Sequence, residues 1–172
     1  FSFGKEKFLT FGDNYLLIEF SFLEAPRNLY DIIFKLQLEG YKLVLAHPAR
    51  YQYLSLKDYE GLIDRGVLFQ LNLLSMLGYY YNEVKSNAEI LIKKEMISFV
   101  GTDCHNMNHA RLYSKCPALS AWHALVKRHK LVNSQFLVCG RGSRCLSTVE
   151  GLEFVHPYVF GLTWVMTLIL SC

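Results

Sequence analysis

The sequence has no large excess of either charge: Lys plus Arg number 18 and Asp plus Glu 15, a formal net charge of +3 over 172 residues. Without a large basic surplus there is no electrostatic reason to expect nucleic acid as a partner. The five cysteines lack paired spacing, so no disulfide framework is implied and a reducing, cytoplasmic setting fits best. No basic stretch followed by an apolar run and small residues stands near Phe1, so a secretory leader is not indicated. Because the first residue is not methionine, the expectation is a chain that begins inside a longer protein. Repeats and low-complexity tracts are missing too. The apolar run Tyr158–Leu170, preceded by His156 and Pro157, falls short of the ~20 residues that cross a bilayer. With 52% hydrophobic and 19% charged residues, the chain is a folded domain of ordinary size, able to bury a core.

What is present is a rhythm. Tyr15–Phe22, Lys42–His47, Val67–Leu73 and Met96–Gly101 are short, nearly continuous apolar runs, the pattern of parallel strands covered on both faces. Between them, Arg27–Glu39, Leu56–Arg65 and Glu83–Glu95 carry apolar residues at steps of three and four, the pattern of amphipathic helices. Pro26 suits the start of the first helix, and Gly40 and Gly66 suit helix ends. Trp122–Lys130 reads as a further helix, with His123 and His129 as ordinary surface or boundary residues. Alternating strands and helices imply an α/β fold with a parallel sheet or part of a barrel. Four strands are too few to close the usual eight-strand barrel.

The residues with chemistry sit at strand ends. Glu19 closes the first run, His47 the second, and Asp103 and His105 follow the fourth. In parallel α/β folds the C-terminal strand ends form one rim where sites are built. Four candidate ligands far apart in sequence are therefore expected to converge. Carboxylate plus imidazole suits Mn, Fe or Zn and a metal-activated water. Each also has a plainer reading: Glu19 could face solvent or meet Lys42, and His47 could hydrogen-bond a loop. One shared rim accounts for all four together. Arg50, three residues past His47, offers a guanidinium fork for phosphate; its plainer reading is a surface ion pair. The segment Cys139–Cys145 has a superficial likeness to a cysteine-phosphatase loop, but its Cys–Arg spacing is one residue short.

Three segments carry a resemblance: Leu17–Phe22 (LIEFSF), Leu45–Tyr51 (LAHPARY) and Val100–Asn106 (VGTDCHN). In this order they resemble the CpsB/CapC family, bacterial PHP-domain tyrosine phosphatases that regulate capsular and extracellular polysaccharide synthesis. Leu36–Tyr41 and Phe69–Ser75 are also similar, and the resemblance runs from about Phe8 to Val138. It implies the C-terminal half of a distorted, TIM-like (β/α)7 barrel with up to three divalent metals at its rim. Manganese is the first expectation, with iron, zinc and magnesium as alternatives. Glu19 would take a bridging position and His47, Asp103 and His105 the other ligand positions present. Arg50 matches the family's phosphate-holding arginine, although Ala49 stands where the family usually has Glu. A second family arginine falls at Ala110, between His109 and Arg111, so His109 or Arg111 is expected to meet the phosphate, with Arg111 the favoured residue. The family's His-x-His strand is not in the sequence.

The resemblance further implies phosphomonoester hydrolysis on a phosphotyrosine protein, a polysaccharide co-polymerase tyrosine kinase. Two alternatives stand beside it: an inactive, non-enzymatic fragment, and a PHP phosphoesterase acting on a small phosphorylated metabolite. An open rim favours a protein substrate, and a lidded pocket a metabolite. Residues 1–138 are read as the family domain. Residues 139–172 are read as a divergent tail, foreign to the family, that is poorly ordered or folds back onto apolar surface.

Overall fold

The computed structural model of the chain describes residues 8–128, 131–133 and 168–170. The four apolar runs form strands β1 (Tyr15–Phe20), β2 (Lys42–Ala46), β3 (Leu68–Asn72) and β4 (Phe99–Gly101), each parallel to the next. The periodic stretches form helices α1 (Leu29–Leu38), α2 (Leu56–Asp64), α4 (Asn82–Lys93) and α6 (Ser120–Arg128). Two short helices absent from the sequence reading complete the set: α3 (Leu73–Met76), which leaves β3 without a loop, and α5 (Met107–Tyr113). Leu168–Leu170 forms β5, parallel to β1. These are three residues of the tail in which no strand period was read; the edge of β1 gives their backbone a partner whatever their pattern. The boundary at Val138, the Cys139–Cys145 segment, His129 and the rest of the tail lie outside the described residues.

The strand order is β4-β3-β2-β1-β5. From β1 to β4 each crossover steps the same way, so right-handed connections put their helices on one face. There Leu16, Ile18, Leu43, Leu45 and Phe69 bury against Ile33 and Leu36 of α1, Leu62 of α2 and Leu91 of α4. The other face carries a smaller cluster of Leu17, Val44, Ala46 and Phe99. The register aligns Leu17 with Val44, Ala46 with Gln70, and Asn72 with Gly101. Alternation along each strand therefore sends Glu19 and Asn72 out from this second face, at its C-terminal edge. The chain has the expected α/β class and parallel sheet. Among the described residues the sheet keeps two ends, β4 and β5, and no barrel closes.

Tyrosine hydroxyls hold that edge together. The Tyr51 hydroxyl donates to the Ala46 carbonyl at 3.0 Å and accepts from the Phe20 N–H at 3.1 Å, joining the ends of β1 and β2. The Tyr59 hydroxyl donates to the Pro48 carbonyl (2.7 Å), that of Tyr53 to Ser21 (2.7 Å) and that of Tyr113 to Thr102 (2.6 Å). At the outer edge of β4, Asn133 accepts from the Val100 N–H (2.8 Å) and donates to the Val100 carbonyl (2.9 Å).

Helices α1, α2 and α4 end alike, with an N–H beyond the helix reaching back to the carbonyl of Leu36, Leu62 or Leu91. The motif places one residue in the left-handed region. Gly40 (φ 88°) and Gly66 (φ 79°) fill it as their positions suggest, whereas α4 uses exposed Glu95 (φ 58°). Two outcomes are expected in urea melts. Glu95→Gly should stabilise the chain by about 0.5–1 kcal/mol, because glycine removes the Cβ penalty at positive φ. Tyr51→Phe should cost about 2 kcal/mol, because it strands a buried N–H and a buried carbonyl; an unchanged midpoint would show that the hydroxyl is not holding the strand ends.

Candidate metal and phosphate site

All the strand-end residues lie on the C-terminal edge of the sheet, but they are not equally close. His47 follows β2 and opens a 3-10 turn, Pro48–Arg50. Asp103 follows β4. The His47 Nε2 lies 4.0 Å from Asp103 Oδ2. Both residues have left-handed backbone, at φ 51° and φ 53°. Non-glycine residues in that region are uncommon and cluster at functional sites. His105 Nδ1 lies 3.5 Å from Asp103 Oδ1 and 2.7 Å from the Asp103 carbonyl oxygen. Its side chain is 68% exposed, against 12% for His47. Glu19 shares the edge and feels the charges of Arg50 and Asp103. Lys42, its alternative partner, instead pairs with Asp13.

Asn72, missed in the sequence, organises the cluster. It is 1% exposed. Its Oδ1 accepts from the Leu74 N–H at 2.9 Å, capping α3 and fixing which way the amide points. Its Nδ2 then faces Asp103 Oδ2 (3.1 Å), the Tyr80 hydroxyl (3.0 Å) and His47 Nδ1 (3.4 Å). Two amide hydrogens thus face three neighbours, and the His47 nitrogen can accept only in the tautomer that carries its proton on Nε2. A polar residue closing an apolar strand is the same signal that singled out Glu19 and His47, and it was there to be used.

Burial sets the charge states. It pushes the His47 imidazole down to about 4; Asp103 opposes the shift, and Arg50 and His105 reinforce it. His47 is therefore neutral near pH 7 and makes no ion pair with Asp103. Burial pushes the Glu19 carboxyl up, Arg50 counters, and Asp103 adds to the rise.

Arg50 is half-buried. Its guanidinium carbon lies 3.8 Å from the centre of the Phe22 ring and 4.5 Å from that of Tyr80. Among the described residues no carboxylate comes within 4.0 Å of it, so the surface ion pair is not formed. Arg111 is exposed in the last turn of α5. His109 is buried with both ring nitrogens engaged: its Nε2 lies 3.1 Å from the Tyr79 hydroxyl, and its Nδ1 accepts from the His105 N–H at 3.4 Å. Ala110 occupies the position between them.

A neutral imidazole beside carboxylates is the right donor chemistry for a divalent metal. Bonds of about 2.0–2.2 Å on each side nearly span the His47–Asp103 gap. Among the described residues, however, no three His, Cys, Asp or Glu side chains are grouped closely enough to hold an ion. The pair fits in kind; the third ligand is not in place.

The profile of the family described as capsular polysaccharide synthesis, CpsB/CapC, matches residues 2–133. The chain is 31% identical over 115 residues to tyrosine-protein phosphatase YwqE of Bacillus subtilis (strain 168), covering 65% of this chain and 45% of that protein. It is 31% identical over 97 residues to putative tyrosine-protein phosphatase CapC of Staphylococcus aureus, with 55% and 38% covered. It is 29% identical over 112 residues to tyrosine-protein phosphatase CpsB of Streptococcus pneumoniae, with 60% and 46% covered. A solved structure from work on YwqE and CpsB, described as unique metal-dependent tyrosine phosphatases, superposes with a TM-score of 0.54 at 28% identity, covering 69% of this chain and 53% of that one. The matches to these curated relatives span less than half of each relative's length.

The buried neutral imidazole has a measurable consequence. The folded value of about 4 lies below the ordinary 6.5, so the unfolded chain takes up a proton that the folded chain refuses. Stability from His47 is complete above pH 6.5 and is lost as the pH falls from there towards 4, by an amount on the order of 3 kcal/mol. In chelator-treated buffer, His47→Gln should flatten that part of the stability profile relative to the parent chain. Parallel profiles for the two would show that His47 is not buried neutral.

Proposed function

This chain belongs to the CpsB/CapC family of capsular polysaccharide synthesis, and on that premise we propose that it carries part of the catalytic site of a metal-dependent protein tyrosine phosphatase. The observation that supports this most is a half-buried Arg50 with no carboxylate partner among the described residues, on the same edge as a neutral His47 that faces Asp103. A guanidinium that no carboxylate among the described residues engages can offer its donors to an anion, and its fork matches a phosphoryl group. Arg111 is the second cation proposed to reach the phosphate.

His47 and Asp103 would hold the metal, with Glu19 and His105 completing the set, and with manganese, iron, zinc or magnesium as the ion. Such an ion supplies positive charge that activates water and neutralises phosphoryl oxygens. Asn72 donates to the Asp103 carboxylate and so orients it, as partners behind the ligands do in metal sites. The βα units are proposed as part of the (β/α)7 barrel expected from the sequence. Exposed His105, Tyr81 and Met107 favour an open rim suited to phosphotyrosine on a protein rather than a small metabolite. The protein substrate proposed is a polysaccharide co-polymerase tyrosine kinase, and the setting is the cytoplasm. Among the described residues, no helix is long and apolar enough to cross a membrane.

One observation favours the non-enzymatic reading: the absence, among the described residues, of any group of three ligands. The two readings separate in an assay of this chain with added manganese and a phosphotyrosine peptide. The expected result is weak metal binding and slow hydrolysis, abolished by chelator and by His47→Ala. Arg50→Ala should lower kcat/KM on the order of 10²-fold. No turnover and no manganese binding at any metal concentration would favour the inactive reading. Fast turnover untouched by His47→Ala would remove His47 from the site.

A further inference from the structure

We propose that Phe22 and Tyr80 are positioning residues that orient the Arg50 guanidinium, and that Asn72 links this orientation to the His47–Asp103 pair. The proposal rests on the phosphate-binding reading of Arg50. An arginine ordinarily takes its geometry from a carboxylate fork, and Arg50 has none among the described residues. Two aromatic rings define its place instead, at 3.8 and 4.5 Å from the guanidinium carbon. Rings this close restrict where the guanidinium can sit without using the donors at its edge.

Each ring is itself held from behind, by different parts of the chain. Phe22, just past β1, stacks on Tyr51 with ring centres 5.6 Å apart and planes at 19°. Tyr51 is in turn pinned by its two backbone hydrogen bonds. Tyr80, between α3 and α4, meets Tyr79 edge-on at 5.3 Å, and its hydroxyl accepts from Asn72 Nδ2 at 3.0 Å. The same Asn72 amide donates to Asp103 Oδ2. Segments following β1, β2 and β3 thus meet at one guanidinium, and a single amide connects its aromatic support to the candidate metal ligand. A change at Tyr80 is then transmitted in two directions: to the placement of Arg50 through the ring, and to Asp103 through the hydroxyl and the Asn72 amide.

The test is binding of inorganic phosphate by this chain, followed by NMR, with the Arg50 side-chain N–H signals as the local reporter. The variants are Phe22→Leu, Tyr80→Phe, Tyr80→Leu and Arg50→Ala. In the parent chain the Arg50 signals should be displaced by the ring currents of Phe22 and Tyr80 and should respond to phosphate. Tyr80→Phe keeps the ring and should keep that displacement, while weakening phosphate binding only about twofold to threefold. Tyr80→Leu and Phe22→Leu should each shift the Arg50 signals towards free arginine and weaken phosphate about tenfold. Phe22 lies at the surface, so its variant reports even if the Tyr80 change disturbs the fold. Phosphate bound as tightly by Tyr80→Leu and Phe22→Leu as by the parent chain, but lost in Arg50→Ala, would overturn the positioning role and leave the phosphate reading standing. Binding indifferent to Arg50→Ala would overturn both.

Discussion

The C-terminal edge of this sheet depends on one kind of contact, a tyrosine hydroxyl buried against main-chain groups that strand pairing leaves unserved. Where parallel strands stop, their last N–H and C=O groups turn away from neighbours, and burial without partners is costly. Tyr51 serves the ends of two strands with one oxygen. Tyr53, Tyr59 and Tyr113 each take a carbonyl in the loops around it. Burial pushes the Tyr51, Tyr59 and Tyr113 phenols far up, so they stay protonated donors. The loops of the edge are therefore framed by rigid aromatic struts, and the candidate site is suspended from that frame.

The frame permits strain where chemistry is placed. His47 and Asp103 sit in left-handed backbone without being glycines, a conformation that neighbouring structure has to impose. Directly after His47, Pro48 and Ala49 are buried and the Tyr59 hydroxyl holds the Pro48 carbonyl. Before Asp103, Tyr113 holds the Thr102 carbonyl. Each strained residue thus has a phenol anchoring the adjacent peptide. The electrostatics follow from the same burial: it keeps His47 neutral and raises Glu19, while the uncancelled charge of Arg50 pulls Glu19 back.

Much of this was readable from the chain because long-range order here is the repetition of a local pattern. β1 to β4 and the helices α1, α2, α4 and α6 follow from apolar periodicity, and Gly40 and Gly66 mark helix ends by their backbone freedom. α3 and α5 did not announce themselves, since helices of four and seven residues are too short for a period and owe their form to packing and to caps from Asn72 and Asn106. The rim was legible as a list of strand-end residues, but the distances were not. That His105 turns out to solvent, that His109 spends both ring nitrogens on neighbours, and that Arg50 leans on rings depends on side chains from other segments. Asn72 shows the other kind of miss: a polar residue closing an apolar strand is visible in the sequence, whereas the three partners of its amide come from other segments.

The side chain of Asn133 lies where a sixth strand would otherwise pair, its amide imitating a peptide group against Val100. An outer strand with open N–H and C=O groups invites any extended segment of another molecule to dock and polymerise. Here that amide occupies the matching sites on a three-residue strand, and beside it the Val132 N–H donates to the Ser98 carbonyl at 2.8 Å. Among the described residues, the flank of β4 is in this way covered by two consecutive residues, Val132 and Asn133, without a charge or a proline on the strand itself.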